Sequence, residues 1–184
     1  MTRKSEIAKL SPPVTESDHT HGPNNAPVTL VEYGDYECPS CGEAYPIIKE
    51  IEKRLGNRLR FVFRNFPLTT IHPHAQHAAE AAETAAEQGR FWEMHDQLFE
   101  NQQALDDPHL RQYASLLKLD LGRFEREMAE HAYSARVRED FRSGVRSGVN
   151  GTPTFFINGV RHNDSWDLET LLEALKKAGV SQRR

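Results

Sequence analysis

Cys38-Pro39-Ser40-Cys41 holds the only two cysteines of the 184-residue chain and stands where an extended segment gives way to a helical one. Upstream, residues 28–33 are apolar and β-prone; downstream, Ile47, Ile48, Ile51 and Leu55 recur at helical spacing. Proline in the second position fixes the junction. With Cys38 as N-cap, Pro39 falls at the first helical position, where its missing N–H is no loss and its φ is already helical. The Cys38 side chain then faces the free backbone N–H groups of Ser40 and Cys41, at the positive end of the helix dipole. A thiolate is stabilised there, and such placements lower a cysteine pKa from about 8.5 into a range of roughly 3.5 to 7.5. Cys41, one turn further in, is close enough to close a disulfide and is less exposed. The spacing alone admits a redox-active dithiol, half of a zinc site, or chance.

The rest of the chain supplies the context. Residues 1–26 are rich in Pro, Thr, Ser, Asn and His without periodicity, which predicts an irregular arm with Asp18, His19 and His21 as exposed polar residues. In the strand that follows, Val28, Leu30 and Glu32 share one face and Thr29, Val31 and Tyr33 the other. A carboxylate in a strand covered on both sides needs a partner or a task; Arg64 is the candidate partner. The helix begun at Cys38 contains Pro46, which predicts a kink, and ends near Gly56 as a left-handed cap. Leu59, Phe61 and Phe63 alternate with Arg60, Val62 and Arg64 as a second strand, completing a right-handed βαβ unit. Residues 74–88, 91–99, 108–117, 121–131 and 132–147 then read as successive helices with no internal repeat. Gly151-Thr152-Pro153-Thr154 leads into Phe155, Phe156 and Ile157, and Asn158-Gly159 predicts a hairpin back through Val160 and Arg161. A final helix carries Leu168, Leu171, Leu172 and Leu175 on one stripe, with Ser165 as its expected cap and Gly179 as its expected end. The expected organisation is an arm over 1–26, an α/β domain over 27–71 and 150–184, and an all-helical insertion over 72–149.

A net charge of −4 with mixed signs gives no electrostatic case for nucleic acid or membrane partners, and the basic end Arg183-Arg184 reads as a solvated tail. No stretch approaches the roughly 20 apolar residues of a membrane span. The first 26 residues hold no apolar run of the roughly 7–15 residues that a secretory signal requires. The expectation is a cytoplasmic location, or an exported one if the sequence lacks its natural start. His72, His74, His77 and His95 are dense enough to raise a metal, but the first three straddle Pro73 and lack the paired spacing of a helical zinc site. No metal or other cofactor is expected.

The order of elements resembles the thioredoxin fold with a helical insertion, and over about residues 27–180 the chain is similar to the DsbA family of thiol:disulfide oxidoreductases. Four elements carry the resemblance: the cysteine pair with proline second, Glu32 six residues before Cys38, Pro46 five residues after Cys41, and Thr152-Pro153 before a short strand. The resemblance implies that Cys38 attacks and Cys41 resolves, that Pro39 and Ser40 tune the turn, and that Glu32 is a buried acid. It further implies that Thr152 and a cis Pro153 face the cysteines and offer backbone to an extended substrate. Ser40 departs from the pattern, since the best-known members carry histidine there. A hydroxyl donates a weaker, neutral hydrogen bond, which predicts a less oxidising pair. Expected partners are protein or peptide thiols and disulfides with an electron donor or acceptor. Two rival readings remain: a non-catalytic thioredoxin-like module that binds a peptide or partner, and a zinc-binding chaperone using the cysteines and histidines.

Overall fold

The computed structural model describes residues 6–181; the expected basic tail Arg183-Arg184 lies outside them. Its strands are β1 (His19–His21), β2 (Val28–Gly34), β3 (Leu59–Asn65), β4 (Thr154–Ile157) and β5 (Val160–Arg161). They form one sheet in the order β1-β3-β2-β4-β5, with β2 and β3 parallel and the remaining pairs antiparallel. Helix α1 (Pro39–Leu55) is the crossover between β2 and β3. It runs on past the exposed Pro46 and stops at Gly56, whose φ of +53° suits a residue without a side chain. Between β3 and β4 come α2 (Ala75–Ala86), α3 (Phe91–Glu100), α4 (Asp107–Leu116), α5 (Leu121–Ala129) and α6 (Ser134–Arg146), and α7 (Leu168–Ser181) closes the described chain.

Alternation along the strands builds two cores. Val28, Leu30, Leu59, Phe61, Phe63 and Phe155 face α1, α3 and α7, joining Ile48, Ile51, Leu55, Leu171 and Leu175. Val31, Tyr33, Val62 and Phe156 face the other way, onto Leu10, Phe66 and Val149. Burying one such large apolar side chain is worth about 1.5–3 kcal/mol. Together these faces hold β2, and so the turn at its end, rigidly between its neighbours.

Four expectations are corrected. Residues 8–21 are largely irregular and exposed as expected, His21 included, but they form a strap across the second face that draws in Leu10, Asp18 and His19. Lys9 bridges Val160 beside β5, and β1 pairs with β3 at the opposite edge. Between them, the Asp18 carboxylate accepts from Arg64 Nε at 2.8 Å and Nη2 at 3.0 Å, with both side chains nearly inaccessible. Burial is the largest influence and opposes the Asp18 charge, but the Arg64 hydrogen bonds, the Thr15 N–H and the Arg64 and Arg136 charges together outweigh it and hold the carboxyl below its ordinary range. His19 stacks on Phe91 with ring centres 3.7 Å apart and reaches Glu83 at 2.8 Å. A three-residue strand has too few positions to show a period of two.

Arg64 is not the partner of Glu32. In the parallel register Glu32 lies opposite Phe63 and Tyr33 opposite Arg64, so the two charges project from opposite faces of the sheet. The last helix is capped by Asp167, which accepts from the Thr170 N–H at 3.0 Å, and not by Ser165. It also continues through Gly179, which stays helical and packs close to Val28, so tertiary contact overrides the glycine.

Candidate active site

Cys38 caps α1 with extended backbone, φ −68° and ψ 122°, and Pro39 occupies the first helical position. Both thiols are free and buried, Cys38 with 6% of its surface exposed and Cys41 with none. The Cys38 thiol is drawn down to about 5, chiefly by a hydrogen bond from the Cys41 thiol and against the cost of burial. Thr152 and the backbone N–H groups of Cys41 and Ser40 add to the effect. Cys41 moves the other way, pushed well up by burial, by its bond to Cys38 and by the charges of Glu32 and Cys38. Two identical side chains three residues apart are thus split into an ionised thiol and a protonated one.

Thr152 and Pro153 form the facing wall, joined by a cis peptide bond. The Cys38 thiol donates to the Thr152 carbonyl at 3.5 Å. Thr152 Oγ1 is buried and finds no partner among the described residues. Loss of the thiol proton removes the carbonyl's donor and leaves that hydroxyl as the group able to donate to the thiolate. Ser40 is half-buried and contributes its N–H to Cys38; its hydroxyl makes no hydrogen bond among the described residues. Serine at this position therefore leaves the backbone cap in place.

Glu32 lies on the same face of β2 as Leu30, 3% exposed, with Oε1 buried and unpartnered. Its pKa is raised to about 8, first by burial and then by the negative charge of Cys38. Beside it, the ring of Phe63 passes within 2.5 Å of where a Cβ on Gly34 would stand, so only glycine lets this strand end approach.

Asp35, Gln102 and Gly42, which sequence reasoning missed, hold the turn in place. Asp35, 1% exposed, accepts from the N–H groups of Glu37 at 2.8 Å and Leu68 at 2.9 Å and contacts His72 Nδ1 at 2.7 Å. Gln102, in the loop after α3, donates from Nε2 to the carbonyls of both Tyr36 and Cys38 at 2.9 Å. Gly42 leaves room for that amide, since a Cβ there would overlap it. Tyr36 is buried with its hydroxyl 3.0 Å from His95 Nδ1, and burial first, then Lys49, depresses the His95 pKa far enough to keep the ring neutral. The four histidines weighed for a metal are not brought together: His72 serves Asp35, His74 donates its N–H to Glu37 at 2.6 Å, His95 is buried on Tyr36, and His77 lies against Asp107.

This geometry sits within a chain whose residues 14–177 match the family model described as thioredoxin. The chain belongs to the thioredoxin family. Among solved thioredoxin-like structures its fold matches BdbD from Bacillus subtilis, with a TM-score of 0.83 at 24% identity over 95% of this chain and 98% of that one. It also matches α-DsbA1 of Wolbachia pipientis, with a TM-score of 0.81 at 19% identity over 92% and 94%. Coverage this complete takes in the helical insertion as well as the sheet. Among curated sequences, a Na(+)/H(+) antiporter NhaA 1 of Salinispora arenicola is 48% identical over 178 residues, which is 96% of this chain and 27% of that protein. An NhaA 3 of Salinispora tropica is 47% identical over the same length and shares. The chain spans about a quarter of the length of the curated relatives it matches. No helix among the described residues is long and apolar enough to cross a membrane.

Proposed function

We propose that this chain is a thiol:disulfide oxidoreductase acting on protein or peptide thiols through Cys38 and Cys41. The observation that carries the reading is the splitting of the pair, Cys38 drawn down to about 5 while burial keeps Cys41 protonated. In the reductive direction the Cys38 thiolate attacks a substrate disulfide, forming a mixed disulfide and releasing one substrate thiolate. Cys41 then loses its proton and attacks the Cys38 sulfur. The second substrate thiolate leaves, and the Cys38–Cys41 disulfide remains. The reverse sequence oxidises a substrate dithiol, and a partner thiol or disulfide restores the pair after each turnover.

Glu32 is the proton acceptor for Cys41, directly or through water. Its acidity changes with the step. While Cys38 is a thiolate, that charge helps to hold Glu32 protonated. In the mixed disulfide the charge is gone, so Glu32 ionises more readily when Cys41 must be deprotonated. Thr152 and the cis Pro153 present backbone beside Cys38 to an extended substrate, a β-addition mode. Ser40 in place of histidine makes the pair less oxidising than relatives bearing the imidazole. The antiporter name belongs to proteins of which this segment is a minor part, and the dithiol chemistry is what we assign to the segment.

Insulin reduction and the redox potential test the activity, and Cys41→Ala tests the mechanism. The variant accumulates mixed disulfides through Cys38 if the chain is an exchange enzyme. A chain that binds peptides without turnover yields none, and that result overturns the reading.

A further inference from the structure

The helical insertion carries a second cluster, remote in chemistry from the dithiol. His77 and Glu80 are three residues apart on α2 and so share a face. His131 follows α5 in a turn with φ +50°, a left-handed backbone that is uncommon outside glycine and in which histidine, asparagine and aspartate are enriched. The three offer one ligand atom each, all within 4.8 Å of one another. Glu80 is the buried member, its side chain 3% exposed, with Oε1 2.9 Å from His131 Nδ1 and Oε2 accepting from Gln76 Nε2 at 3.2 Å. No lysine or arginine pairs with it among the described residues, so the two imidazoles are what meets a carboxylate whose charge is costly to bury. His77 Nδ1 lies 2.8 Å from Asp107 Oδ1, which orients the ring and leaves Nε2 free. A cavity of about 470 Å³ opens beside the cluster, lined by Leu110, Phe124 and Met128 as well as His77, Asp107 and His131.

We propose that His77, Glu80 and His131 bind one zinc ion. Two imidazoles and a carboxylate are a zinc donor set, and three protein ligands leave a fourth position for water or a small anion entering from the cavity. Imidazole donors disfavour calcium and magnesium. Ligand atoms around a tetrahedral ion with bonds of about 2.0 Å stand about 3.3 Å apart, so the Glu80–His131 pair needs only slight opening. His77 closes the site by turning a ring that is 42% exposed. As Glu80 Oε1 and His131 Nδ1 part and turn to the ion, the neutral imidazole carries its one N–H on Nε2. Asp107 supplies the outer contact that fixes a metal-bound imidazole. The ion ties α2 to the turn between α5 and α6 and is independent of the proposed exchange activity.

The test is zinc titration of the full chain with the Cys38–Cys41 disulfide formed, so that no thiolate competes. Calorimetry is expected to give one equivalent of zinc, and cobalt in its place the visible bands of a tetrahedral site. His77→Ala and His131→Asn each lower affinity at least 100-fold, and Asp107→Asn lowers it about tenfold. Asparagine is chosen because it tolerates the left-handed backbone at residue 131. Circular dichroism of each variant separates lost binding from lost folding. An oxidised protein that takes up no zinc, or uptake that survives both histidine substitutions in folded protein, overturns the proposal.

Discussion

Replacing Glu32 with glutamine keeps the shape of a protonated carboxyl group and removes its ability to ionise. In the unfolded chain a glutamate loses its proton near 4.5, whereas in the folded protein burial and then the Cys38 charge hold it until about 8. Between those values the unfolded state sheds a proton that the folded state keeps, so stability falls as pH rises, by about 1.4 kcal/mol per pH unit. The contribution is level below about 4.5 and level again above about 8. About 2.5 pH units of the window lie below neutrality, so at pH 7 the native carboxyl costs about 3 kcal/mol that glutamine does not. The amide adds an N–H to a buried site, a cost of about 1–3 kcal/mol that is the same at every pH. The discriminating quantity is therefore the change with pH. Urea unfolding of the reduced proteins at pH 4, 5.5 and 7 should show Glu32→Gln gaining about 3 kcal/mol on the parent across that range, or about 6–12 °C in Tm. The same experiment on the oxidised pair should show a narrower window, because Cys38 then carries no charge. A difference between parent and variant that stays constant from pH 4 to 7 would refute an unpaired, proton-holding Glu32.

Alkylation of Cys38 by iodoacetamide should titrate with a midpoint of about 5 while Cys41 stays unreactive, and Cys41→Ser should move that midpoint because it alters the largest stabilising hydrogen bond; an unmoved midpoint removes Cys41 from the account. Gln102→Ala should cost about 1–3 kcal/mol by stranding the Tyr36 and Cys38 carbonyls. Gly42→Ala should cost a similar amount by displacing the same amide, so the two combined should fall well short of their sum in a denaturation cycle. Asp18→Asn should destabilise by about 3–5 kcal/mol at neutral pH, since it leaves the Arg64 charge buried; a melting temperature equal to that of the parent would contradict this.

What could be read from the sequence was local. The cap at Cys38, the proline at the first helical turn, the alternation in β2 and the Asn158-Gly159 turn each depend on residues a few positions apart. Glu32 was half legible: alternation put it on the Leu30 face, but whether Arg64 could reach it depended on the register between β2 and β3, which no local pattern encodes. Asp18 and Arg64 are 46 residues apart, and Gln102 acts on carbonyls 64 and 66 residues away. Such pairings arise from how elements dock. The same holds for His77, whose neighbour His131 arrives only when α5 packs on α2.

The strap formed by residues 8–21 has a further consequence. A sheet's outer strands carry unpaired backbone donors and acceptors that can template pairing with another chain. Here one stretch of sequence shields both borders, β1 as a three-residue outermost strand along β3 and Lys9 as a single bridge against Val160. The guard is mutual as well as double, because Asp18 and Arg64 pin the strap midway between the borders it covers. Weakening that single ion pair would loosen both guards together, and the damage would appear as self-association through backbone before it appeared as lost thiol chemistry.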